Sequence, residues 1–296
     1  MRTRARIASC PMTLLLMTAV AAQQPAQPAQ AAPGAPPAPA AAPIVSRISP
    51  PPDGHRFSNG VTYFYKAEWK LWNAGIATLR LDRDPNGMER ITATAVSTGF
   101  VGKLFHVDDR FEAIFDPRSF CSAYITKRTE EGRRKRTVQI RFDYQRQKSV
   151  LEDTNLRSGQ KKVLESNIPM CVTDVLSALF YAGSLRLQPG EAHIFPLNDG
   201  ATIDLKANIE QREQITTDAG TFNTIRVQPD AAIGKLKTKG KVWIWYSEDA
   251  ERIPVQLRAR MFWGTLTLRL DRVERAQKTT AGEIAPASAA VSAACR

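Results

Sequence analysis

Residues Val255–Leu270 read VQLRARMFWGTLTLRL. Val255, Leu257, Ala259, Met261 and Trp263 alternate with Gln256, Arg258, Arg260 and Phe262. Beyond Gly264, Leu266, Leu268 and Leu270 alternate with Thr267, Arg269 and Asp271. Successive side chains of a strand point to opposite faces, so a period of two predicts half-buried strands with one wet face. The Trp263-Gly264 turn between the two runs has the length of a hairpin, not of a crossover.

The same pattern extends outward. Val61, Tyr63, Tyr65, Ala67 and Trp69 share a face, as do Val138, Ile140, Phe142 and Tyr144. Turn chemistry falls between the runs at Asp84-Pro85-Asn86-Gly87, Asn198-Asp199-Gly200 and Asp218-Ala219-Gly220, where Gly and Asn supply positive φ. About ten or eleven strands follow from this count. Short connections without a βαβ rhythm predict a mainly β fold: an antiparallel meander forming a strongly curved sheet or open barrel. One short helix is inserted midway and is expected near the mouth of that sheet or against its concave face. Val172, Val175, Leu176, Leu179 and Phe180 are spaced helically, Thr173 or Asp174 is placed to cap, and Gly183 to end the helix. A weaker helical turn is expected over Phe100–Phe105.

The ends of the chain read differently. Arg2, Arg4 and Arg6 precede an apolar run, Met12–Ala22, which holds an Ala19-Val20-Ala21 cleavage pattern. This predicts a secretory leader over residues 1–22, too short to span a bilayer. Cys10 lies ahead of the apolar run, which argues against lipidation. Residues 23–45 are rich in Ala, Pro and Gln and predict an extended linker; residues 46–276 are expected to form one β-rich domain, and residues 277–296 a disordered tail. No later run is long enough for a transmembrane span.

The formal net charge is +12. An exported basic chain favours anionic envelope lipid or glycan, or an envelope protein, as partner over nucleic acid. Of the four cysteines, Cys10 leaves with the leader, Cys121 and Cys171 are the natural disulfide pair, and Cys295 is left over.

The densest basic stretch is KRTEEGRRKRTVQIRF, Lys127–Phe142. Glu130-Glu131-Gly132 signals a turn, so Arg133, Arg134, Lys135 and Arg136 are expected at a hairpin tip. Such a tip either guards an edge against aggregation or contacts an anionic surface. No recognition helix or stacking platform accompanies it, which argues against nucleic acid. Trp243 and Trp245 share one strand face while Val242, Ile244 and Tyr246 share the other, so both faces call for burial. Trp243, Trp245, Phe180 and Trp263 are candidates for an apolar groove; the plainer reading is core.

Catalytic and metal signals are sparse. Asp82–Gly87 resembles the start of a calcium loop, but Ala93 stands where the bidentate Glu belongs, so a hairpin turn is expected. His55, His106 and His193 are far apart, and an enzyme would need His106 or His193 to meet Asp108, Asp109 or Glu112. Glu248-Asp249-Ala250-Glu251 reads as a solvated turn. No catalytic residue, metal site or cofactor is assigned.

The landmarks over about residues 57–274 resemble a bacterial exported family, domain of unknown function 3108. They are Tyr63-Phe64-Tyr65, Ala74-Gly75-Ile76-Ala77, Asp174–Ala178 with Leu187-Gln188-Pro189-Gly190, Thr217–Phe222, Trp243–Ser247, Arg252–Val255 and Gly264-Thr265-Leu266. The resemblance implies an exported β-rich fold and carries no agreed activity. The resulting expectation is a non-enzymatic periplasmic or envelope-associated binding module. A structural envelope component is the alternative, and an enzyme acting on envelope polymers ranks third.

Overall fold

The computed structural model describes residues 47–52, 55, 59–70, 72–231, 240–261 and 264–276. The expected leader, linker and tail, with Cys295 and Trp263, lie outside the described residues. In chain order the elements are β1 (Val61–Trp69), β2 (Trp72–Arg83), β3 (Glu89–Ser97), α1 (Gly99–Leu104), β4 (Asp108–Phe115), β5 (Ser122–Glu131), β6 (Arg134–Asp143), β7 (Lys148–Asn155) and β8 (Lys161–Asn167). There follow α2 (Ser177–Ser184), β9 (Ala192–Asn198), β10 (Thr202–Thr217), β11 (Gly220–Ala231), β12 (Lys241–Ser247), β13 (Pro254–Met261) and β14 (Gly264–Arg275).

All fourteen strands join one antiparallel sheet in the order β8-β7-β6-β5-β4-β3-β2-β1-β14-β13-β12-β11-β10-β9. The mainly β class and the antiparallel, unclosed meander agree with the alternation. The strand number does not, because β7, β8 and β9 (KSVLEDTN, KKVLESN, AHIFPLN) lack clean alternation. Two meanders meet where β1 pairs with β14, from Val61 opposite Arg275 to Trp69 opposite Leu266.

Alternation sorts side chains onto an inner face. Val61, Tyr63 and Tyr65 of β1, Leu79 and Leu81 of β2, and Ile225 and Val227 of β11 are buried there. Leu176, Ala178, Tyr181 and Ala182, at and within α2, belong to the same core cluster, so the helix fills the concave face. Tyr181 sits in an aromatic chain: edge-on to Phe120 at 5.1 Å and to Phe195 at 4.8 Å, with Phe120 stacked on Phe115 at 5.4 Å. The Tyr246 hydroxyl donates to the Leu179 carbonyl at 2.6 Å, and the Tyr65 hydroxyl to the Pro254 carbonyl at 2.9 Å.

The helix begins later than its spacing predicts. Residues Val172–Asp174 are held extended instead. Ser122 N–H donates to Val172 O at 2.9 Å, Thr173 N–H to Pro196 O at 3.1 Å, and Asn198 N–H to Thr173 O at 2.8 Å. This segment therefore straps β5 to β9, and the Cys121–Cys171 disulfide clamps its start. Asp174 does cap: its Oδ1 accepts from Leu176 N at 2.8 Å and Ser177 N at 3.0 Å, and its Oδ2 from the Ser122 and Ser177 hydroxyls, both at 2.6 Å. Complete burial pushes the Asp174 carboxyl up, while these hydrogen bonds oppose the rise. Gly183 does not end the helix but lies inside it. A Cβ there would come within 3.0 Å of the Tyr246 ring, so close packing explains the glycine.

Candidate functional site

The antiparallel register brings the β1–β2, β3–β4, β5–β6 and β7–β8 connections to one end of the sheet. Trp69 pairs with Trp72, Gly75 with Ser97, Val96 with Asp108, Glu131 with Arg134, and Thr154 with Lys161. Hydrogen bonds tie these connections into a continuous rim. Gly132 N–H donates to His106 O at 2.7 Å, Leu156 N–H to Lys135 O at 2.9 Å, and Thr98 N–H to Ala74 O at 3.0 Å. Arg157 Nη1 donates to Arg133 O at 3.1 Å.

The basic stretch forms the central hairpin of the rim. Gly132 has φ +54°, the left-handed conformation a tight turn requires at its first central position. Because β6 starts at Arg134, Arg134 and Arg136 share the face of Val138, and Lys135 projects from the opposite face. The four cations differ in their partners. Lys135 Nζ lies 2.5 Å from Glu130, Arg134 lies 3.8 Å from Glu131, and Arg136 pairs with Asp153. Lys135 and Arg128 hold the Glu130 carboxyl down, at about 2. Arg133 makes no ion pair among the described residues, and neither do Lys70, Lys103 and Arg157 on the neighbouring connections. All four are exposed.

An apolar surface adjoins these cations. Trp72 is 65% exposed, Phe100 68% and Leu104 67%, and Ile76, Val96 and Phe105 are exposed as well. These six are half of the twelve exposed large hydrophobics among the described residues, and all lie between residues 72 and 105. Ile76 and Val96 are cross-strand partners, and the Phe105 ring stands 3.2 Å from where a Gly132 Cβ would be. Helix α1 buries none of its residues. Its sequence, GFVGKL, thus presents two large apolar side chains and Lys103 together. The sequence hinted at this helical turn but not at its company, because the patch draws on the β1–β2 and β3–β4 connections and the strands beside them, which only register sets against the basic hairpin.

One rim carboxylate is perturbed. Asp109 Oδ1 accepts from Glu130 N–H at 3.0 Å. Burial raises its carboxyl to about 6; that hydrogen bond opposes the rise, the nearby Glu131 and Asp108 add to it, and Arg134 opposes it.

The aromatic groove is not assembled. Ile244 and Tyr246 face the core, which puts Trp243 and Trp245 on the other side of β12, away from Phe180 on α2. The two tryptophans carry the protein's own cations: Arg258 lies 5.3 Å and Arg226 6.0 Å from the Trp245 ring, and Arg260 lies 5.7 Å from Trp243. Trp245 Nε1 donates to Glu213 Oε1 at 2.8 Å. Phe180 lines a pocket with His55, Tyr63, Tyr246, Glu251 and Arg252 whose volume of about 20 Å³ suits roughly one water. The concave face that was to hold an apolar ligand is filled by α2. A larger pocket of about 280 Å³ lies on the other side of β6 and β7 from Ile140, lined by Gln139, Arg141, Asp143 and Glu152 among others.

The remaining candidates stay apart. His193 Nε2 donates to the Arg186 carbonyl at 2.8 Å. Asp109 lies on the inner-facing side of β4 with Ala113, and Glu112 on the opposite side. Asp82 and Arg83 end β2, and Asp84–Gly87 lies in the β2–β3 turn, with Gly87 at φ +80°. Asp249 Oδ1 caps its own turn, accepting from the Ser247 hydroxyl at 2.8 Å. No cluster of three or more His, Cys, Asp or Glu suited to a metal occurs among the described residues.

The profile of the family described as "Protein of unknown function (DUF3108)" matches residues 64–271. The chain belongs to the DUF3108 family. This is the family indicated by the order of the sequence landmarks. A crystal structure of a β-barrel-like protein of domain of unknown function DUF1849 from Brucella abortus is similar to this DUF3108 chain in fold. The TM-score is 0.53 at 7% identity, covering 75% of this chain and 100% of that one. A protein with a YmcC-like fold from Bacteroides fragilis gives a TM-score of 0.35 at 10% identity, covering 78% and 100%. No curated protein matches.

Proposed function

We propose that this DUF3108 chain is an exported, non-enzymatic module that docks on an anionic envelope surface through the rim of its sheet. The observation that carries this reading is the collection, at one end of the sheet, of exposed Lys70, Lys103, Arg133 and Arg157, which make no ion pair among the described residues. The secretory pattern of residues 1–22 and the Cys121–Cys171 bridge support an oxidising compartment outside the cytoplasm. A cation near an anionic membrane contributes about 1 kcal/mol, so four contribute about 4 kcal/mol, a dissociation constant on the order of 1 mM. Docking of this kind is weak, reversible and screened by salt.

The test is retention of the protein on phosphatidylglycerol-containing vesicles against neutral phosphatidylcholine vesicles, from about 0.02 M to about 0.3 M salt. The expected result is binding to the anionic vesicles alone, lost as salt rises and weakened about tenfold or more by K103E with R133E. Equal retention on neutral vesicles, or none on anionic ones, overturns the reading.

A further inference from the structure

Resting on that docking reading, we infer that the rim is an interfacial membrane-binding face whose aromatic and aliphatic side chains enter an anionic phospholipid bilayer. The occupant is the lipid itself, not a soluble anion or a protein groove. Cations alone would hold the chain only at about millimolar strength, and stable attachment to a bilayer takes a second signal. The second signal adjoins the first. Trp72, Phe100 and Leu104 are each at least 65% exposed, and Lys103 stands between Phe100 and Leu104 in the six-residue helix α1. Phe105 packs beside Gly132, next to Arg133. An apolar patch bordered by exposed cations that make no ion pair among the described residues complements the two layers of an anionic membrane surface. Phosphates meet the cations, and the boundary of headgroups and acyl chains receives the rings. Tryptophan, here Trp72, is the residue type best suited to that boundary.

Burial elsewhere fixes the direction of approach. Tyr246 and Trp245 are buried, Phe180 lines a pocket of about 20 Å³ against the core, and the half-buried Trp243 has Arg260 5.7 Å from its ring, so none of these aromatics is presented to solvent as Trp72, Phe100 and Leu104 are. The sheet would stand on its rim, with the β1–β2 turn, α1 and the β5–β6 tip in contact with the bilayer. The β2–β3 and β6–β7 turns would point away.

The experiment uses the mature full chain and vesicles of phosphatidylglycerol and phosphatidylcholine, some with lipids brominated along the acyl chain. Tryptophan fluorescence is read alongside co-sedimentation. The expected result is quenching by the brominated lipids that falls strongly in W72F, and at least about tenfold weaker sedimentation of F100S with L104S. Both positions are exposed, so the double variant should keep the melting temperature of the parent. Salt-sensitive sedimentation with no acyl-chain quenching, and with F100S/L104S binding as the parent does, overturns insertion while docking stands. Absence of any sedimentation with anionic vesicles overturns both.

Discussion

At the residue scale, Asp109 shows how position reassigns a side chain. Its sequence, His106-Val107-Asp108-Asp109, offered a histidine–carboxylate pair. The structure instead uses Asp109 as the acceptor that anchors Glu130 N–H at the base of the basic hairpin. Its folded-state carboxyl titrates near 6, against about 4 in an unfolded chain. The fold therefore favours the protonated form. That contribution is complete below about pH 4 and is lost as pH rises through about 6. Asp109→Asn keeps an oxygen acceptor and removes the charge. Relative to the parent it should gain about 1 kcal/mol in urea unfolding between pH 4 and pH 7, after allowance for screening of this half-buried group. A difference that stays flat with pH would remove the assignment. Tyr246 provides a second test. Its fully buried hydroxyl serves the Leu179 carbonyl, and Tyr246→Phe should cost about 1–2 kcal/mol by leaving that oxygen unpaired.

At the scale of elements, the strap and α2 act as one unit. Val172 and Val175 have helical spacing, yet the chain is extended up to Asp174, because the main-chain bonds to Ser122, Pro196 and Asn198 hold it as strand-like backbone. Local periodicity has no means of registering those distant partners. The bridge Cys121–Cys171 closes a loop over a sequence separation of 50. In the chain-entropy picture this contributes about 4 kcal/mol, so C121S with C171S should lower the denaturant midpoint by a corresponding amount. An unchanged midpoint would show that the hydrogen bonds alone hold the strap. Gly183→Ala places a methyl 3.0 Å from the Tyr246 ring and should cost about 1–3 kcal/mol, although alanine is the better helix former. A stabilised variant would show that the ring yields.

At the scale of the whole molecule, the pairing of β1 with β14 makes the sheet continuous. Glu68 and Arg269, 201 positions apart, meet at 3.1 Å across it. Since β14 lies between β1 and β13 and not at an edge, removing residues from 264 onward splits the sheet in two. The truncated chain should show no cooperative thermal transition, as followed by circular dichroism. Retention of a sharp transition would mean that each meander folds alone. The same topology produces the rim. Four connections that are remote in sequence arrive at one end, so cations and apolar side chains that look incidental along the chain become one surface.

The alternation of Val255–Leu270 and its kin determined by itself that the chain forms antiparallel strands and which side chains of each strand face inward. Burial of every second residue is a property of the strand's own pleat. Glycine-bearing turns and the family landmarks were equally local, and so was the basic tip at Gly132. Tertiary structure alone decided that β14 joins β1, that α2 packs on the concave face and not at its mouth, and that Trp243 and Trp245 lie across the sheet from Phe180. It also decided that α1, Trp72 and the basic hairpin share a rim. These are outcomes of hydrogen bonding and packing between residues far apart in sequence, and the period of a pattern carries no information about which distant strand will satisfy it.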